Sequence, residues 1–129
     1  MTLKLEIGAV YLLTATVLLA SAVAATTVDT LGTLDFPNSG AAEAQEAFVR
    51  GVLLLHSFEY DDAKEAFVEA GEIDPDFAMA YWGEAMTYNH PLWRQQDREA
   101  ALEVLEKIPD HDLTAREQGY LDALAVLYG

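Results

Sequence analysis

The sequence predicts an all-α chain, a set of helix hairpins stacked side by side and preceded by a separate apolar segment at the N-terminus. Three observations lead there. Apolar residues recur at i, i+3, i+4 and i+7 from about residue 44 to residue 128, capping residues and prolines punctuate that pattern at short intervals, and no stretch alternates as a strand would.

Residues 7–20 read IGAVYLLTATVLLA, an apolar run without charge whose only upstream basic side chain is Lys4, opposed by Glu6. Small residues at Ala22 and Ala24 fit the pattern accepted by a signal peptidase, so residues 1–24 are expected to be a cleaved signal peptide. The other reading is an uncleaved hydrophobic anchor, because residues 7–25 approach the roughly 20 residues that span a bilayer. Either way the rest of the chain is expected to be exported, periplasmic or secreted. Residues 25–40, with Gly32, Pro37 and Gly40, read as a linker, with Phe36 placed to tuck against the first helix.

The first helix is expected over 41–58, with Ala44, Ala47, Phe48, Gly51, Leu54, Leu55 and Phe58 on one stripe. Asp61 offers an N-cap to a second helix over 62–73, whose buried side is Ala63, Ala66, Phe67, Ala70 and Ile73 and which Pro75 closes. A third helix carries Ala78, Tyr81, Trp82, Ala85 and Met86 and stops at His90-Pro91, since the residue before proline is pushed out of the helical region. Asp97 caps a fourth helix with Ala101, Leu102, Leu105 and Ile108 inward. Thr114-x-x-Glu117 is a capping box opening a fifth, with Leu121, Leu124, Ala125 and Tyr128 on one side.

Sliding residues 44–58 by 34 positions sets Ala44 on Ala78, Gly51 on Ala85 and His56 on His90, and 34 is the tetratricopeptide period. Tyr60, Ala63, Phe67, Ala70 and Pro75 fall where that repeat places its aromatic, small and closing residues. On these positions the chain resembles the tetratricopeptide repeat superfamily over residues 41–129. The stretches LLHSFEYDDAKEAF, IDPDFAMAYWGEAMTYNHPLW and YLDALAVLYG look like the opening of a group of exported bacterial tetratricopeptide-repeat proteins of uncharacterised function. The resemblance implies a right-handed α-α superhelix of about two and a half repeats, truncated after the first helix of a third hairpin, and no catalytic residue. The other reading makes the fifth helix the array's cap.

Charge narrows the partners. With 22 acidic against 7 basic side chains the formal net charge is -15, which argues against nucleic acid and against an anionic membrane surface. Membrane contact is expected only through the N-terminal segment, if that is retained. No cysteine is present, so thiolate metal sites and cysteine nucleophiles are excluded. Neither Ser39 nor Ser57 sits in a glycine-rich elbow, and no phosphate-cradling loop occurs.

The leading expectation is therefore a non-enzymatic scaffold without cofactor that holds an apolar or basic protein or peptide segment on its concave face. The repeat pattern puts Gln45, Phe48, Val52, His56, Met79, Trp82, Met86 and His90 along that groove, without the Lys, Arg and Asn of a carboxylate clamp. Glu59, Asp61, Asp62 and Glu84 would form acidic flanks, though acidic runs equally serve as a solvated face. The segment 88–93 adds Asn89, His90 and Trp93, read either as pocket wall together with Trp82 or as a loop in which Leu92 and Trp93 plug against helices three and four. The alternative from another class is a metal-binding or metal-dependent enzyme domain using His56, Glu59 and His90. The plainer reading of those histidines is that each finishes its helix by bonding exposed carbonyls.

Overall fold

The computed structural model describes residues 31–110 and 113–129. The expected signal or anchor segment and the first part of the linker lie outside the described residues. A short 3-10 turn at Ala42–Ala44 leads into α1 (Gln45–His56), followed by α2 (Tyr60–Ile73), α3 (Ala78–Met86), α4 (Arg98–Leu105) and α5 (Ala115–Tyr128). Between α3 and α4, β1 (Asn89–His90) pairs antiparallel with β2 (Gln95–Gln96) across a 3-10 turn at Pro91–Trp93. The described chain is thus mainly helical, as its apolar periodicity requires. Among the described residues no helix is long and apolar enough to cross a membrane.

Each helix packs on the next, and α3 also packs against both α1 and α5. The core follows from this arrangement: Phe48 of α1, Phe67 of α2, Met79 of α3, and Leu124 and Tyr128 of α5 are all fully buried. Phe77, immediately ahead of α3, joins them with its ring 4.9 Å from that of Phe48. Small residues let the helices close on these rings. A Cβ added to Gly83 would stand 2.2 Å from the Phe67 ring and one added to Gly51 2.9 Å from it, so both helix backbones lie directly on that side chain.

Local chemistry sets most boundaries. Asp97 Oδ1 accepts the Ala100 N–H at 3.0 Å, and Thr114 and Glu117 form the full capping box. Several boundaries differ from the sequence reading. The first helix ends at His56 rather than at 58, in a turn where Phe58 N–H donates to Leu55 O and Glu59 N–H to Leu54 O. This is the Schellman pattern, and it places Phe58 in the left-handed region with φ 63°. The turn returns the chain so promptly that α2 starts at Tyr60. Glu59 occupies its N-cap, and Asp61 lies in the first turn instead of capping.

The third helix likewise ends early, at Met86. Thr87 Oγ1 donates to Glu84 O at 2.7 Å, and Pro91 holds His90 extended, so the intervening residues form one strand of the small β-pair that periodicity did not show.

Candidate functional site: the trough of α1, α3 and α5

The side-by-side packing of α1, α3 and α5 leaves a trough, and the chain's own residues 34–40 run into it. Phe36 lies 5.3 Å from Phe48, 6.0 Å from Trp82 and 5.4 Å from Tyr120, ring centre to ring centre, with the Arg116 guanidinium 5.2 Å over its face. The backbone of this segment is held as well. Asn38 and Gln45 exchange amide hydrogen bonds at 2.9 and 2.8 Å, and Gln45 Nε2 also donates to Gly40 O. Ser39 donates through both its backbone N–H and its hydroxyl to Glu117 Oε1, each at 2.7 Å.

Glu117 therefore joins two duties, capping α5 and gripping the segment. Burial pushes its carboxyl pKa up, but the hydrogen bonds from Ser39 and Thr114 outweigh that, and the net shift is downward. At the other end of α5 the Tyr128 hydroxyl donates to Ala85 O at 2.7 Å, and burial pushes its pKa up to about 12. Arg98 donates to the Tyr128 and Gly129 carbonyls, so α4 fixes the end of α5 that faces α3.

Beyond Phe36 the trough stays open as a cavity of about 560 Å3. Of the groove candidates, Val52, His56, Trp82, Met86 and Asn89 line it together, joined by Tyr120 and by Phe58 and Tyr60 at the mouth. The remaining candidates fall elsewhere. Phe48 lies wholly beneath Phe36, and Met79 is core. Trp82 is only 7% exposed, because Phe36 covers it. His90 turns away from the trough: its ring stacks on Tyr60 at 3.8 Å and borders two other hollows. Trp93 is 55% exposed and Leu92 68%, so the 91–93 turn does not plug helices three and four. Glu84 is a buried residue of α3 and not an acidic flank.

His56 and His90 are each engaged with a carbonyl. His56 Nδ1–H donates to Val52 O and His90 Nε2–H to Thr87 O, both at 2.8 Å. Among the described residues no group of three or more His, Asp or Glu side chains converges as ligands for a metal ion would. His56 and Glu59 are exposed and His90 is committed to the Tyr60 stack, which leaves the metal alternative without an assembled ligand set.

Among the lining residues that sequence reasoning did not place in the trough are Tyr60 and Phe58 at its mouth and Arg116 and Tyr120 on α5. For α5 a signal was present. Arg116 and Tyr120 are four apart and therefore share a face, the same face as Glu117 and Leu124 to within one helical step. Comparison with protein-family profiles, with curated proteins and with solved structures yields no match to this chain.

Proposed function

We propose that residues 41–129 form a tetratricopeptide-type array and act as a non-enzymatic scaffold that holds an extended protein or peptide segment in the trough of α1, α3 and α5. One observation carries this reading: the trough already receives a non-helical stretch of the chain itself. Phe36 anchors in its aromatic floor, while Gln45 and Glu117 hold polar groups of the same segment. The open remainder offers a second apolar berth of similar chemistry between Val52, Trp82 and Met86. With the chain at net charge -15, the favoured occupant is apolar with basic flanks, and its affinity falls as salt rises.

A peptide-display selection against the full chain tests this. Enriched sequences should combine an aromatic or aliphatic anchor with Lys or Arg. Met86→Glu, inside the open berth, should weaken them roughly tenfold or more. Val126→Glu, on the exposed side of α5, should leave them unchanged. Failure to enrich any peptide, or binding indifferent to Met86→Glu, would reject the trough as the site. The same proposal places the scaffold outside the cytoplasm, on the strength of the apolar segment ending in Ala22-Val23-Ala24. N-terminal sequencing of the exported protein should then begin at Ala25, and an intact Met1 would indicate a retained anchor.

A further inference from the structure

The segment that fills the inner trough is held in a way that lets it leave. Residues 34–40 form no helix or strand, and none of the backbone–backbone hydrogen bonds among the described residues involves them. Side chains do the holding, Gln45 on Asn38 and Glu117 on Ser39, while Leu34, Asp35, Pro37 and Ser39 are exposed. The fixed point lies at the far end. Gly40 sits flat on the Phe77 ring, and Ala41 N–H donates to Asp74 Oδ2 at 2.7 Å, so the segment can swing out from there and leave α1 in place.

The surface beneath it continues past it. Trp82, Tyr120 and Arg116 contact Phe36 and also line the open cavity, so the inner and open halves of the trough share one floor. Leu34, Asp35 and Phe36 themselves wall that cavity, and an occupant longer than the open berth meets them. Glu117, 1% exposed, divides its oxygens: Oε2 accepts from Thr114 at the start of α5, whereas Oε1 accepts from Ser39. Ser39 offers that carboxylate neutral donors only. A lysine or arginine in its place would add the opposite charge and bond more strongly.

We propose that residues 34–40 are a built-in competitor for the inner trough, displaced by a partner segment that carries an aromatic residue and, three positions later, a lysine or arginine. The aromatic residue replaces Phe36 between Phe48, Trp82 and Tyr120, and the cation replaces Ser39 at Glu117. This latch rests on the trough being the binding site and adds what a partner must present to enter its inner half. It also lowers the affinity of every such partner by the fraction of time that the segment is away.

The test offers the segment in trans. A synthetic peptide of residues 33–41, TLDFPNSGA, is titrated into the 15N-labelled full chain and into its Phe36→Ala variant, with the Trp82 indole N–H as reporter and the exposed Trp93 as reference. The variant should bind saturably and the natural chain at least tenfold more weakly. The peptide with Ser39→Lys should bind the variant roughly tenfold more tightly still, an advantage that shrinks with salt, and the peptide with Phe36→Ala should not bind. Equal binding to both chains, no binding to a variant whose helical circular dichroism is intact, or no gain from Ser39→Lys would each overturn the proposal. Should Phe36→Ala lose its helical signal, the Asn38→Ala/Ser39→Ala chain, which keeps the ring, takes its place. It should bind the Ser39→Lys peptide several-fold more tightly than the natural chain does, and no gain there would equally overturn the latch. A chain that enriches displayed peptides through Met86 yet ignores TLDFPNSGA loses only the latch, whereas one that enriches none loses the scaffold reading itself.

Discussion

Phe36, Phe48 and Trp82 at the inner end of the trough and Phe58, Tyr60 and Trp93 at its mouth are both aromatic clusters with similar ring spacings, about 5 to 6 Å. The inner rings are enclosed. Phe48 is wholly buried, Trp82 nearly so, and Phe36 covers both with its backbone tied to α1 and α5. At the mouth Phe58 and Trp93 are half exposed, Phe58 on left-handed backbone, and Tyr60 is partly buried. Ring spacing alone therefore does not distinguish an aromatic cluster that holds the fold from one that the fold holds out. Enclosure and backbone conformation do, and the two clusters should respond oppositely to truncation.

The largest effect is expected at Phe67, whose ring lies 5.8 Å from Phe48 and 6.5 Å from Trp82 and is clasped by Gly51 and Gly83. Phe67→Ala should lower the unfolding free energy by about 3–5 kcal/mol in a urea titration. That is a large share of the roughly 5–15 kcal/mol of a typical domain. A loss under about 1 kcal/mol would mean that the three helices do not close on this ring, and the inner cluster would have to be reclassified with the outer one.

Glu117 sharpens the comparison from the polar side, because it ties the inner segment to α5 and has no counterpart at the mouth. Glu117→Gln keeps the shape but removes the charge that Ser39 and Thr114 bond to, and should cost about 1–3 kcal/mol at neutral pH. The pH dependence has a definite sign. Since the folded-state pKa is lowered, the carboxylate contributes its full stabilisation above its ordinary value of 4.5 and loses it as pH falls below 4.5 through the lowered value. Unfolding midpoints measured from pH 7 down to pH 3 should therefore drop more steeply for the natural chain than for Glu117→Gln. Parallel curves would show that Glu117 holds nothing by its charge.

Features that depend on neighbours in sequence were legible before any coordinates. Asp97 and the Thr114–Glu117 box cap the helices they were expected to cap, and the apolar periodicity located Phe48, Phe67, Trp82 and Leu124 as inward residues. Features that depend on distant residues were not. Nothing in the string joins Ser39 to Glu117, 78 positions apart, and although Phe36 was placed against the first helix, its contacts with Trp82 and Tyr120 require α3 and α5 to lie side by side. Phe58 misled for a different reason. It continues the first stripe in phase, and only the backbone turn at Ser57 and Phe58 takes it off the helix. The 34-residue register set His56 and His90 in equivalent places, yet the β-pair that follows α3 turns His90 onto Tyr60 while His56 lines the trough.

Phe58→Gly should have the smallest effect on stability, and of opposite sign to Phe67→Ala. Two terms compete. Relief of the left-handed backbone favours the variant by about 1 kcal/mol, whereas the more flexible glycine raises the entropy of the unfolded chain and the half-exposed ring gives up its contacts with Tyr60 and Trp93. The net change should lie between no effect and a gain of about 1 kcal/mol. Phe58→Ala separates the terms, because it removes the ring and keeps the unfavourable backbone, so it should be the less stable of the two variants. If Phe58→Gly instead weakened the fold by several kcal/mol, as Phe67→Ala is expected to do, the ring would be a structural member of the mouth. Its exposure would then need a stabilising partner that the neighbouring rings supply, and the contrast between the two clusters would not hold.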